Sequence, residues 1–207
     1  MKKFLAIDTS SSYHTVIASG EKTVVSHQPD CAGSHSVKLL PCVEETLHSA
    51  GMALSDCDFF AVVTGAGSFT GIRIGISTVK GFCTGTAKEA LPVTSFEAIA
   101  YTTGEKTTLS VLSAGHGFAY LCGFDRAKKV VYPPSYKSLE EAEQLAADFE
   151  AVAGFEEIPL PKYQRADMAQ GLLAAVSKKS ENAENFIPCE ELKAVYVRKS
   201  QAEENRK

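Results

Sequence analysis

A chain of 207 residues, 44% hydrophobic and 22% charged, has the make-up of a folded protein with room for one sizeable core or two small ones, and is neither disordered nor collagenous. A net charge of −4, with no run of five or more Lys or Arg residues, argues against tight nucleic-acid binding by the chain alone. No apolar stretch approaches the ~18 residues of a spanning helix, and Asp8 ends the apolar run from Phe4 to Ile7 well short of a secretory signal core.

From the N-terminus, KFLAID (3–8), YHTVIAS (13–19) and KTVVSHQ (22–28) are short β-branched runs parted by turn residues, which predicts a three-strand antiparallel meander. The period then changes. Leu39, Leu40, Val43, Leu47 and Ala50 recur at helical spacing, with Ser34 or Ser36 to cap the start and Gly51 to end it. Pro41 should kink this helix or mark its beginning. A strand from Phe59 to Thr64 leads into GAGSFTGIRIG (65–75); a helix from about Phe69 to Thr86, a short strand at 91–94 and a short helix opened by Ser95 follow.

The second half repeats this order. TLSVLSA (107–113), FAYLCGF (118–124) and KVVY (129–132) predict another meander. SLEEAEQLAADF supplies a helix with a Ser138/Glu141 capping box. EAVAGF (150–155) reads as a strand, PLPKYQ (159–164) as a loop and RADMAQGLLAAVSKK (165–179) as a helix. Two βββαβα units are therefore expected: an N-terminal lobe over 1–103, a smaller C-terminal lobe over 104–197 and a charged tail over 198–207.

The glycine-rich stretch is the first candidate for chemistry, because a strand-to-helix turn can offer backbone N–H groups and the helix dipole to an anion. Its spacing matches neither the Walker A loop nor the Rossmann fingerprint, since Thr70 stands where the last glycine of the latter belongs. Gly65, Gly67 and Gly71 read mainly as a tight turn with close packing; Ser68, Thr70 and Arg73 keep an anion-binding reading open as the lesser alternative. AIDTSSS (6–12) places a carboxylate at a strand end before a hydroxyl-rich turn, suited to phosphate or to an ordinary Ser turn. SAGHG (113–117) is the corresponding turn of the second half, with His116 more readily a turn residue than a base. The cysteines at 31, 42, 57, 83, 122 and 189 form no C-x-x-C pair, and the histidines at 14, 27, 35, 48 and 116 no H-x-x-x-H. A reduced, cytoplasmic protein without a metal site is expected. No G-x-S-x-G elbow surrounds Ser68, so a peptidase is disfavoured.

AIDTS, HSVKLLPCVEETL, AVVTGAGSFTGIRIGISTVKGF, PVTSFEAIA and the late YVRKSQAE resemble, in order and over most of the chain, the TsaB (YeaZ) family. Its members are non-catalytic partner subunits of the bacterial machinery that makes threonylcarbamoyladenosine beside the tRNA anticodon. The resemblance implies an α/β fold of the actin, hexokinase and Hsp70 (ASKHA) type with duplicated lobes, the second reduced. It also implies a heterodimer with a longer catalytic paralogue (TsaD-type), a docking ATPase subunit (TsaE-type), tRNA contact only indirectly or in the complex, and a homodimer when alone. No resident cofactor is implied, with ATP or ADP only at a subunit interface.

The paralogue's two metal-binding histidines fall on Ser95 and Ile99, which separates partner from catalyst. Weak nucleotide or phosphate contacts are expected of Asp8, Thr9, Ser10, Gly67, Ser68 and Arg73. The partner interface is expected to use Leu39, Leu40, Val43 and Leu47 on one helix with Ile72, Ile76, Val79 and Cys83 on the next, although core packing competes for the same residues. Ala66 stands where the family often has proline, and Ser113-Ala114-Gly115 where it often has Asp-Ala-Arg. The alternative is a stand-alone ATPase or phosphotransferase of the same fold that uses Asp8, Ser10 and the glycine loop.

Overall fold

A computed structural model describes residues 2–29, 31 and 33–198. These divide into two compact units, the first comprising residues up to Ser95 with Ala175–Ala194, the second Phe96–Ala174 with those from Val195 on.

The first unit contains β1 (Phe4–Asp8), β2 (His14–Ser19), β3 (Thr23–Gln28), α1 (His35–Ala50), β4 (Phe59–Val63), α2 (Phe69–Thr86) and β5 (Ala90–Val93). Its sheet runs β3-β2-β1-β4-β5, with the first two pairings antiparallel and the last two parallel. Every residue of β1, β2 and β4 is buried, as near-continuous apolar runs require when both faces of a sheet are covered. On one face Leu5, Ile7, Phe60 and Val62 meet Leu39 and Val43 of α1 and Ile72 and Val79 of α2. On the other, Phe4 stacks on Phe59, whose ring meets Phe186 edge-on at 4.9 Å. Phe186 comes from a late segment without sequence periodicity, held by reciprocal backbone hydrogen bonds between Ala90 and Ile187.

The second unit contains α3 (Ser95–Tyr101, of which Ser95 belongs to the first unit), β6 (Thr108–Gly115), β7 (Phe118–Phe124), β8 (Val130–Ser138), α4 (Leu139–Ala146), β9 (Ala151–Gly154), β10 (Tyr163–Arg165) and α5 (Met168–Lys179), which passes to the first unit at Ala175. Its sheet order, β8-β7-β6-β9-β10, repeats that of the first with the same strand directions. The duplicated plan expected from the sequence is therefore present. Leu109, Val111, Leu121 and Val152 face α4, and Ala153 packs with Ile99 and Ala166.

Differences from the sequence reading have local causes. Helix α1 runs through Pro41, beginning six residues before it and forgoing only the bond that a Pro N–H cannot make. Ser34 precedes α1 without capping it, because its hydroxyl donates to the Cys31 carbonyl instead. Strand β10 replaces part of the expected loop, since Tyr163–Arg165 finds a parallel partner in β9. Helix α5 then starts at Met168, where Asp167 accepts from the Gln170 N–H at 2.9 Å. Strand β8 continues past Tyr132 along the sheet edge with Pro133 and Pro134, both exposed, inside it. Within the expected tail, Arg198 lies over the Tyr136 ring at 5.0 Å, and residues 199–207 fall outside the described residues.

The Ser138/Glu141 capping box forms as expected, with each side chain accepting from the other's backbone N–H. Replacing Ser138 with Ala should cost about 1 kcal/mol, read as a lower urea midpoint with an unchanged native far-UV spectrum.

Candidate functional site

The β1–β2 turn and the glycine-rich turn meet backbone to backbone. A Cβ on Gly67 would overlap the Ser10 carbonyl, one on Gly71 the Thr9 carbonyl, and one on Gly75 would lie 2.6 Å from Thr9 Oγ1. Three glycines thus remove the side chains that would hold α2 away from the end of β1. Hydrogen bonds then fix the contact. The Ser68 N–H donates to the Ser10 carbonyl at 2.7 Å, and Thr9 Oγ1 donates to the Gly71 carbonyl at 2.7 Å. Ser68 caps α2 by accepting from the Gly71 N–H at 3.2 Å.

The structure brings together five of the six residues expected to contact nucleotide or phosphate: Asp8, Thr9, Ser10, Gly67 and Ser68. Two of the amides an anion would use, those of Ser68 and Gly71, already serve the fold. Asp8 is buried; its Oδ1 accepts from the Ser10 N–H at 2.7 Å, while Oδ2 has no hydrogen-bond partner. Burial pushes its carboxyl above the usual carboxylate range, against the opposing effect of the Ser10 hydrogen bonds. Arg73 stands apart, its guanidinium 5.9 Å from the centre of the Phe69 ring and beside the groove between α1 and α2.

Ser95 is consumed by structure. Its N–H donates to the Gly65 carbonyl at 2.7 Å, and its hydroxyl donates to the Ala66 carbonyl at 2.6 Å and lies 3.3 Å from Ser10 Oγ. Ile99 is fully buried and has no donor atom for a metal. Among the described residues no group of three His, Cys, Asp or Glu side chains is arranged to hold a metal ion. The SAGHG segment forms a two-residue hairpin turn with His116 at φ 53° and Gly117 at φ 79°, and Ser113 Oγ accepts from the Gly115 N–H.

The outer face of α1 and α2 is the other candidate. Of the eight residues expected there, Leu39, Ile72, Val79 and Cys83 are buried in the first unit's core. Burial, with Cys189 nearby, pushes the Cys83 thiol up to about 11. Val43, Leu47 and Ile76 are also buried, Val43 and Leu47 forming the floor of a groove of about 380 Å³ with Met52, Leu54 and Phe82. Only Leu40 of the eight is exposed, at 53%. The surface left for a partner is therefore narrower than the sequence implied: one thin lobe covers most of this stripe because α1 and α2 both lie on the sheet. Leu40 borders that groove and a second of about 500 Å³, lined also by Ser36, Thr70, Arg73 and Ile74. Val37, 74% exposed, extends the ridge; sequence reasoning missed it, although it lies at i−3 from Leu40. Among the described residues no helix is long and apolar enough to cross a membrane.

The family model described as "TsaD: tRNA N6-adenosine threonylcarbamoyltransferase" matches residues 23–203. The Escherichia coli (strain K12) tRNA threonylcarbamoyladenosine biosynthesis protein TsaB is 29% identical over 134 residues, which is 63% of this chain and 58% of that protein. The protein of the same description from Haemophilus influenzae is 33% identical over 98 residues, 46% of this chain and 41% of its own length. Both matches thus span less than two thirds of the relative. The structure of YeaZ from Pseudomonas aeruginosa superposes with a TM-score of 0.78 at 22% identity, covering 95% of this chain and all of that one, a likeness of fold. The duplicated sheets are of the actin-like ASKHA type.

The packing at the glycine turn yields a paired prediction. Gly71→Ala, which forces a Cβ onto a backbone carbonyl, should destabilise by about 2–4 kcal/mol. Gly81→Ala, on an open part of the same helix where an added methyl would meet no other atom, should stabilise by about 0.5–1 kcal/mol. Thermal unfolding of the two variants beside the parent measures both.

Proposed function

We propose that this chain, which belongs to the TsaB (YeaZ) family of tRNA threonylcarbamoyladenosine biosynthesis proteins within the wider threonylcarbamoyltransferase family, is a non-catalytic scaffold or activator that binds a longer catalytic paralogue. In this reading the assembly also receives an ATPase subunit, tRNA meets the chain only within the assembly, and the isolated chain pairs with itself.

The observation that carries the proposal is the α1–α2 face. Val37 and Leu40 form an exposed apolar ridge bordered by two grooves, the arrangement into which helix side chains of a partner can interdigitate. The turn cluster supports the non-catalytic part, because Ser95 and the loop amides are spent on holding α2 to β1. One observation favours a stand-alone ATPase instead, the unpaired Oδ2 of Asp8 at a strand end. Its burial and raised pKa count against a role as a charged ligand in water.

Omitting each subunit in turn from a reconstituted tRNA modification reaction tests the proposal; undiminished activity without this chain overturns it. Heat on titration of the isolated chain with millimolar ATP would favour the alternative. Leu40→Asp should weaken binding of the paralogue by at least about tenfold, or ~1.4 kcal/mol, with little change in melting temperature because the side chain is outside the core. Calorimetric titration with a parallel melting curve checks both halves.

A further inference from the structure

In the first unit Asp8 Oδ2 and His35 Nδ1 are buried without hydrogen-bond partners, and the ring of His14, also buried, has at most the Gln28 side chain as a partner. Buried polar atoms are ordinarily paired, so a concentration of orphans marks a site held under tension. His14 is fully buried on β2, and its ring centre is 6.1 Å from that of His35, the first residue of α1. His35 Nε2 lies 3.0 Å from the Ser11 carbonyl, which only accepts, so Nε2 donates and ties the start of α1 to the β1–β2 turn. In the neutral ring this leaves Nδ1 as the orphan acceptor.

The surroundings oppose a positive charge on His14. Burial is the largest influence holding it below the usual histidine range; His35 and Lys38 on α1 and His27 on β3 act in the same direction, while a hydrogen bond with the Gln28 side chain opposes them. Asp8 on β1 faces His27 and His35, but burial favours its neutral form and so weakens it as a counter-charge. Two of the groups that repel a protonated His14 ride on the first turn of α1, where the helix dipole adds to the repulsion.

We propose that His14 and His35 form a proton-sensitive latch: with His14 neutral the start of α1 is held to the β1–β2 turn, and protonation of His14 in mildly acidic solution drives the start of α1 away, moving Val37 and Leu40 with it. A released ring takes up its proton near the ordinary histidine value of 6.5, and the latched ring takes it up lower. The latched form is therefore favoured above that value and loses its advantage as pH falls through it. The consequence for docking rests on the reading that Val37 and Leu40 meet a partner; the latch itself does not.

Hydrogen exchange of the full chain at about pH 7.5 and about pH 5.5, corrected for intrinsic rates, tests the latch. The expected result is a roughly tenfold or greater loss of protection over residues 36–40 at the lower pH, absent from β4 and from a His14→Gln variant. A uniform response, or the same local response in the variant, overturns the latch. Should the variant not fold, imidazole NMR titration of the parent decides: protonation of His14 together with shifts in the first turn of α1 supports it, and a His14 that titrates without those shifts, or stays neutral throughout, overturns it. Paralogue affinity that is insensitive to pH while local exchange is sensitive would count against the docking reading and leave the latch standing.

Discussion

The first unit depends on one close approach, the backbone of Thr9 and Ser10 pressed against the start of α2. Side chains larger than hydrogen at 67, 71 and 75 would prevent it. Once made, it exchanges solvent-facing amides for internal hydrogen bonds and sets where α2 leaves the sheet. That placement puts Ile72 and Val79 over β1 and β4 and leaves Arg73 and Ile74 beside α1. The same residues that make the turn look like an anion grip therefore make it a structural joint. Its polar groups are satisfied by each other, apart from one carboxylate oxygen of Asp8.

A division of labour follows along α1 and α2. Residues that reach the sheet supply the core, and those one or two positions away supply the surface, as a helix with a 3.6-residue repeat must arrange them. Leu39 and Leu40 illustrate it: adjacent in sequence, one is 1% exposed and the other 53%. An apolar side chain that exposed, beside open grooves, adds less to the stability of an isolated monomer than its buried neighbour does. The proposed docking would give it a use.

Much of the fold was legible because its signals are local. β-Branched runs gave the two meanders, helical spacing gave α1 and α2, and the Ser138/Glu141 pair gave the start of α4. What escaped depended on distant partners. Tyr163–Arg165 is a strand only because β9 lies alongside, and the segment around Phe186 and Ile187 has no period of its own but is held by Ala90 and Phe59. At the site, clustering of Asp8, Thr9 and Ser10 with Gly67 and Ser68 followed from two turns at adjacent strand ends. The separation of Leu40 and Val37 from their buried neighbours did not, because an apolar stripe on a helix looks alike whether a sheet or a partner covers it. The His14–His35 pair was also illegible, since a β2 residue and a helix start twenty-one positions later become neighbours only through the turn that both surround.

The paired prolines of β8 bear on how the edge of a sheet meets other chains. A sheet edge is a row of unmatched donors and acceptors, open to pairing with any strand that meets it. Pro133 and Pro134 have no N–H to offer, and they sit on an outermost strand whose pairing with β7 is already irregular. Ribbon-like growth through that edge is interrupted in mid-strand, which biases encounters toward contacts between side chains, where shape and sequence discriminate between partners, and away from backbone pairing, which accepts nearly any strand.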